Sequence, residues 1–91
     1  MSVYFAFCYR NGLVKIGHSK DPKKRMYAFS DGLGRDMHLK VIIPGGRAEE
    51  RLEHMRFDRY RSHGEWFFCK GKLRAFINKD MIRKPSKRPR K

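Results

Sequence analysis

The chain has 91 residues, and its 23 lysines and arginines against 9 acidic residues give a formal net charge of +14. This length holds one domain with one modest core, and 40% hydrophobic residues exclude a wholly disordered chain. The charge predicts a polyanionic partner, and no apolar run approaches the ~20 residues of a membrane span. Cys8 and Cys69 stand singly, which is typical of reduced thiols, so we expect a cytoplasmic protein without a signal peptide.

The start of the chain predicts two strands joined by a hairpin. Residues 3–9 alternate, and the positions predicted to share one face are Val3, Phe5, Phe7 and Tyr9. Asn11-Gly12 favours a tight turn because both residue types tolerate positive φ, and residues 13–17 return as the second strand. With a two-residue loop, Tyr4 and Lys15 lie on the opposite face, four positions or roughly 13 Å apart at ~3.3 Å per residue.

A helix is predicted from about residue 21 to residue 30. Asp21 is a good N-cap, and Pro22 suits the first helical position because no N–H is needed there. Arg25 lies in the first turns of this helix, where a guanidinium can grip a phosphate with two hydrogen bonds. Lys23 and Lys24 are ordinary solvated helix cations that can add phosphate contacts.

The middle of the chain predicts a third strand over residues 39–43 and then a long helix from Arg47 to about Arg61. The residues expected to form the apolar stripe of this helix against the core are Ala48, Leu52 and Met55. A separate face of the helix carries Glu50, His54, Phe57 and Arg61.

The last part of the folded body predicts a short extended segment over residues 64–68 and a helix over residues 72–77, with Trp66 anchoring that helix. The order β-β-α-β-α-(β)-α indicates an α+β domain over residues 1–82. Residues 83–91 are predicted to form a solvated, disordered tail because cations dominate it. The basic residues of the tail are Arg83, Lys84, Lys87, Arg88, Arg90 and Lys91.

Tyr4 and Lys15 are the first candidates for chemistry. An ammonium near the Tyr4 hydroxyl would lower the phenol pKa from ~10, and a phenolate can take a proton from an attacking water. The alternative is that Tyr4 is an aromatic residue packed on the sheet.

Glu50 and His54 lie one helical turn apart and can reach the same point. A carboxylate there can hold a divalent cation, with His54 beside it as a proton-handling partner. The alternative is an exposed i,i+4 pair, and the pattern does not distinguish Glu50 from Glu49 or Glu53 as the ligand. The remaining histidines, interpreted as structural or solvated, are His18, His38 and His63.

Six short motifs occur in order between residues 2 and 77. The first three are Ser2-Val3-Tyr4, Lys15-Ile16-Gly17 and Arg25; the second three are Glu50-x-x-x-His54-x-x-Phe57, Tyr60-Arg61 and Gly64-Glu65-Trp66-Phe67. Together they resemble a small phage and bacterial branch of the GIY-YIG nucleases. The resemblance implies a three-stranded antiparallel sheet flanked by helices and divalent-metal-dependent cleavage of DNA phosphodiesters.

The resemblance also assigns roles to individual residues. It implies a catalytic group of Tyr4, Lys15, Arg25 and His54, with Mg²⁺ or Mn²⁺ on Glu50. Lys15 stands in place of the second-motif tyrosine, Phe29 stands where some relatives carry a histidine, and Asn78 is no clear match for a late asparagine.

The function predicted from these features is that of a DNA endonuclease. Lys23, Lys24, Arg61 and the six tail cations are the expected DNA contacts. Two alternatives remain open: a catalytically inactive module of the same fold that holds DNA or RNA, and a basic ribosome- or RNA-associated protein. The sequence predicts neither the target nor the oligomeric state.

We expect deletion of residues 83–91 to weaken DNA binding and flatten its salt dependence without unfolding the domain. Each phosphate contact contributes ~0.9 to the slope of log K against log salt, so loss of the six tail cations lowers the slope by up to ~5. Fluorescence anisotropy with a labelled duplex at several salt concentrations measures this slope. An unchanged slope would show that the tail does not touch DNA.

Overall fold

The computed structural model describes residues 1–27 and 36–78. The end of the first predicted helix, Phe29 and the basic tail lie outside these ranges. The strands are β1 (Ser2–Cys8), β2 (Leu13–Ser19), β3 (Met37–Pro44), β4 (Arg61–His63) and β5 (Trp66–Phe68). The helices are α1 (Pro22–Tyr27), α2 (Arg47–Arg56) and α3 (Gly71–Ile77), with a 3₁₀ turn over Asp58–Tyr60. The α+β class predicted from the element order is therefore confirmed.

A single antiparallel sheet has the strand order β3-β1-β2-β5-β4. The expected three strands are therefore wrong, because two short strands extend the sheet beyond β2. Gly64, at a φ of +54°, lets the chain reverse between β4 and β5. Strand β5 lies within the extended segment predicted over residues 64–68, whereas β4 was not predicted, because three residues are too few to show strand alternation.

The loop between β1 and β2 spans residues 9–12 instead of the expected two residues. Asn11 Oδ1 accepts a hydrogen bond from the Leu13 amide (2.9 Å), and Gly12 adopts a φ of +73°. The longer loop shifts the register by two, so Lys15 lies opposite Ala6, two positions from Tyr4 instead of four. An even shift leaves every side chain on its predicted face.

The two faces of the sheet carry separate apolar clusters. The cluster on the α3 side consists of Val3, Phe5, Val14, Ile16, Val41, Phe57, Phe67, Leu73 and Ile77. The cluster on the α1 side consists of Tyr4, Ala6, Cys8, Met26 and Met37. The predicted alternation along β1 is confirmed over Val3, Phe5 and Phe7, whereas Tyr9 lies beyond the end of β1 and is exposed.

Helix α2 is shorter than predicted and turns a different face inward. It ends at Arg56, and Arg61 already belongs to β4. Leu52 and Met55 are 61% and 66% exposed, so the predicted apolar stripe is wrong. The inward face carries Glu50 and, just after the helix, Phe57, whose ring meets Phe5 edge-on at 5.9 Å. This orientation follows from the position of α2 beside β2, where the Ile16 carbonyl and the His18 ring form hydrogen bonds with side chains of the helix.

The other helices agree more closely with the sequence. Asp21 caps α1, since its Oδ1 accepts from the Lys24 amide (3.2 Å), and α3 covers nearly the predicted range. Trp66 does not anchor α3, because its side chain packs on the α1 side of the sheet. Phe67, on the opposite face, packs with Leu73 of α3 instead.

Truncation of Phe57 should therefore cost far more than truncation of the exposed face of α2. Phe57→Ala removes a buried ring and should lower the free energy of unfolding by ~3–5 kcal/mol. Met55→Ala, the matched control, should change it by no more than ~0.5 kcal/mol because its side chain is exposed. Urea denaturation followed by circular dichroism measures both, and equal losses would restore the helix orientation predicted from sequence.

Candidate functional site

The candidate site lies where β2 extends past its neighbour β5. Strand β5 pairs with β2 only as far as Lys15. One residue further, the Ile16 amide donates to the Glu65 carbonyl (3.0 Å) and the Ile16 carbonyl accepts from His54 Nε2 (2.8 Å). A side chain of α2 thus takes the place of a strand partner. Among residues 1–27 and 36–78, no strand pairs with the β5-facing side of β2 beyond this point.

Tyr4 reaches this open edge because its partner across the β1–β2 ladder is Gly17. A Cβ at Gly17 would lie 2.7 Å from the Tyr4 hydroxyl oxygen and 2.8 Å from the carbon that bears it. Only glycine leaves room for the ring in this position. The glycine of the Lys15-Ile16-Gly17 motif therefore has a steric role in placing the tyrosine.

The Tyr4 hydroxyl is buried and hydrogen-bonded to the side chain of Arg25. Burial raises the pKa of Tyr4 above its ordinary value. The hydrogen bond and positive charge of Arg25 oppose this rise, while the charges of Glu65 and Glu50 add to it. The lowered pKa expected from a neighbouring lysine is therefore wrong, and Tyr4 is a neutral phenol near pH 7.

Lys15 lies on the same face as Tyr4 and pairs with an acidic residue. Its Nζ is 2.8 Å from Glu65 Oε1 and 5.4 Å from the centre of the Trp66 ring. Glu65, which sequence reasoning did not select, also raises the pKa of Tyr4. Lys15 therefore contacts Glu65, one of the two carboxylates that raise the pKa of Tyr4.

Glu50 is the buried carboxylate of the site, with 7% of its surface exposed. His18 Nδ1 donates to Glu50 Oε1 (2.8 Å), whereas the buried Glu50 Oε2 has no hydrogen-bond partner among residues 1–27 and 36–78. His54 Nε2 is 3.7 Å from this second oxygen, and its proton is directed to the Ile16 carbonyl, which can only accept. A buried, unsatisfied carboxylate oxygen is costly, and a cation would relieve that cost.

His18, interpreted from the sequence as structural or solvated, contacts Glu50 in the candidate site. Strand alternation indicates the face on which His18 lies, because Ile16 and His18 are two residues apart, but it does not indicate the contact with Glu50. The neighbouring acids of α2 have other partners. Glu49 caps the helix by accepting from the Gly46 amide (2.8 Å), and Glu53 pairs with Arg56 (3.2 Å). Of the three glutamates, α2 directs Glu50 into the site.

A shallow cleft of about 360 Å³ opens over Glu50. It is lined by His18, Glu50, His54, Glu65 and two cations of α2, Arg47 and Arg51. Sequence reasoning did not select the two arginines. The cleft thus contains the Glu50 carboxylate, one oxygen of which lacks a hydrogen bond among the described residues, and two arginines. This arrangement suits a cation bound to Glu50 together with an anionic ligand. Within the described part of the chain, no three His, Cys, Asp or Glu side chains form a ready-made metal cluster.

The other predicted contacts lie apart from this cleft. Lys23 and Lys24 are exposed on α1. Arg61 pairs with Asp58 Oδ1 (2.9 Å) and donates to the Gly64 carbonyl, so it holds the β4–β5 hairpin together. Asn78 lines a different pocket, and the tail cations lie outside the described residues.

The comparison with protein families gives a match to the T5orf172 domain over residues 1–84. The chain therefore belongs to the T5orf172 domain family, which is compatible with a nuclease-like or DNA-binding role. Neither the comparison with curated proteins nor that with solved structures gives a match. None of the helices in the described ranges has the length and apolar character needed to cross a bilayer.

We expect Gly17→Ala to destabilise the domain by expelling the Tyr4 ring, at a cost of ~1–3 kcal/mol for overpacking. In a Tyr4→Ala background the same change should cost little, because the clashing ring is gone. A double-mutant cycle by urea denaturation gives the coupling. Equal costs in both backgrounds would show that the glycine serves the backbone and not the tyrosine.

Proposed function

We propose that this member of the T5orf172 domain family is a GIY-YIG-type endonuclease that hydrolyses DNA phosphodiesters with Mg²⁺ or Mn²⁺. One observation carries the proposal: the Tyr4–Arg25 pair and the buried, half-satisfied Glu50 carboxylate interact at the open edge of β2. The net charge of +14 supports a nucleic-acid substrate.

Glu50 is the residue that would hold the divalent ion. Mg²⁺ commonly binds through one or two carboxylates and keeps several waters, so a single carboxylate with an unsatisfied oxygen fits it. His18 fixes Oε1 of Glu50, which leaves Oε2 for the cation. When bound, the ion would polarise the scissile phosphate and stabilise the leaving oxygen. His54 positions the carboxylate indirectly, since its hydrogen bond to Ile16 ties α2 to β2.

Arg25 would bind the scissile phosphate. Its guanidinium is charged at all relevant pH values and presents several N–H donors, so one can serve the Tyr4 hydroxyl while others serve a phosphate oxygen. Positive charge fixed beside the phosphate stabilises the negative charge that grows in the transition state.

Tyr4 would take the proton from the attacking water. Its pKa is raised, so the phenolate is a minor species near neutral pH, although it is a strong base once formed. Arg25 stabilises the phenolate directly and so limits the effect of burial on Tyr4. Lys15 would add to this by offsetting the charge of Glu65, which it contacts.

Glu50→Ala should abolish plasmid nicking while leaving DNA binding unchanged or tighter, because a negative charge leaves a phosphate-facing cleft. Its free energy of unfolding should not fall sharply, since Glu50 Oε2 has no hydrogen-bond partner in the described part of the chain. Glu53→Ala, on the same helix but paired with Arg56, is the matched control and should nick normally. The measurement is supercoiled-plasmid relaxation with Mg²⁺ or Mn²⁺ beside an anisotropy assay. Nicking that persists in Glu50→Ala would show that Glu50 does not hold the divalent ion.

Nicking should accelerate with pH. Because the pKa of Tyr4 is raised, the phenolate fraction near pH 7 is small and grows about tenfold for each pH unit below that pKa. The rate at saturating Mg²⁺ should therefore rise about tenfold per unit between about pH 7 and 9. Tyr4→Phe should be nearly inactive, and its residual rate should not follow this slope. A rate independent of pH in the unmodified protein would exclude Tyr4 as the base.

A second candidate function is a nucleic-acid-binding module of the same fold without turnover. The neutral Tyr4 phenol favours this binding function, because a neutral phenol can donate a hydrogen bond to a bound nucleic acid. A general base is needed only for catalysis. Plasmid that stays intact with every divalent ion while binding persists would establish this alternative.

A further inference from the structure

A second pocket of about 360 Å³ opens at the hairpin end of the sheet. Its walls come from the end of β1, the β1–β2 loop, β3, the segment after β5, and α3. The lining residues that could contact a ligand or report on it are Phe7, Tyr9, Lys40, Cys69 and Arg74. Tyr9 lies five residues beyond Tyr4, about 16 Å along an extended chain at ~3.3 Å per residue. The pocket is therefore separate from the cleft over Glu50.

The charge of this pocket is positive. Lys40 and Arg74 reach it from different elements, and both act electrostatically on the Cys69 thiol, whose pKa burial raises and these two cations lower. The residues described as lining the pocket include no carboxylate. Two converging cations without a neutralising acid select an anionic ligand.

An exposed aromatic ring stands beside the two cations. Tyr9 is 60% exposed, yet its ring meets Phe7 at 4.9 Å and His38 at 4.6 Å, both nearly perpendicular. The two neighbours hold the ring without covering it. Exposed aromatic rings beside cations are the combination with which proteins bind single-stranded nucleic acid, because the base stacks and the phosphate pairs.

We propose that the hairpin-end pocket binds one nucleotide of a single-stranded segment, with the base on Tyr9 and the phosphate on Lys40 and Arg74. The proposal rests on the nucleic-acid partner of the proposed function but not on its catalysis. A free phosphate would use only the cations, and duplex DNA would keep its bases stacked away from Tyr9. The aromatic ring therefore favours an unpaired strand.

Cys69 provides a reporter in the pocket itself. It is a free, partly exposed thiol, whereas the other cysteine, Cys8, is fully buried. In the Glu50→Ala variant, to prevent cleavage, a short single-stranded DNA should slow alkylation of Cys69 by iodoacetamide several-fold, as followed by mass spectrometry. A blunt duplex of equal length and inorganic phosphate should protect less. Equal protection by either would overturn the single-strand assignment, and no protection by the single strand would overturn the site.

Variants at the pocket separate its role from general electrostatics. Tyr9→Ala should weaken single-strand binding about tenfold, the loss expected for one stacked base. Lys40→Ala/Arg74→Ala should weaken it further and lower the salt slope by up to ~1.4, since each contact to a single strand contributes ~0.7. Lys20→Ala, which removes an exposed cation elsewhere, is the control and should remove no more than one such contact. Unchanged affinity in Tyr9→Ala would overturn the base contact.

The two proposals fail in different ways. If the plasmid is never nicked but Cys69 is protected and Tyr9→Ala binds weakly, the nuclease proposal fails and the subsite stands. If nicking is normal while Cys69 stays unprotected, the subsite fails and the nuclease proposal stands.

Discussion

The hydrogen bond between His54 and the Ile16 carbonyl is the interaction on which the candidate site depends. It satisfies the Ile16 carbonyl just beyond Lys15, the last residue of β2 that pairs with β5, so α2 takes the place of a strand beside β2. A continued β5 would satisfy the edge of β2 but would occupy the place of Glu50. Because the strand stops, side chains from both faces of the sheet, Tyr4 and Glu50, come within electrostatic reach of each other.

Two buried polar groups of the site, the Glu50 carboxylate and the Tyr4 phenol, lie in electrostatically unfavourable surroundings. A buried Glu50 oxygen without a partner costs on the order of 1–3 kcal/mol, and a buried phenol beside two carboxylates resists ionisation. The guanidinium of Arg25 already offsets part of the cost at Tyr4, and a cation beside Glu50 would lower the cost there. These buried polar groups do not serve stability, since apolar side chains of similar size in their places would cost less to bury.

Helix α2 shows how the site overrides ordinary hydrophobic patterning. Leu52 and Met55 follow helical spacing and would suit a core, yet both face solvent. The helix turns Glu50 and His54 toward β2 because the free edge there offers hydrogen-bonding partners, and Phe57 provides a buried apolar contact just after the helix. The buried Phe57 ring and the hydrogen bonds of Glu50 and His54 to β2 together hold this helix of 10 residues in its orientation.

The sequence by itself determined the features that local periodicity and capping control. Alternation along β1 and β2 placed Tyr4 and Lys15 on one face, Asp21 fixed the start of α1, and the absence of Gly and Pro marked the body of α2. The order of elements indicated the α+β class, and the resemblance to the GIY-YIG nucleases grouped Tyr4, Arg25 and Glu50. These features depend on residues close together in the chain.

Tertiary structure decided what depends on distant partners. The register of β1 against β2 followed from a four-residue loop closed by the Asn11 side chain. Strand β4 is too short to show a pattern in the sequence and forms by pairing with β5, and the inward face of α2 was set by a free strand edge 38 residues away. The raised pKa of Tyr4 likewise reflects burial, which composition does not encode. Local sequence specifies which way a side chain points along its own element, whereas its neighbours are chosen only when the elements pack.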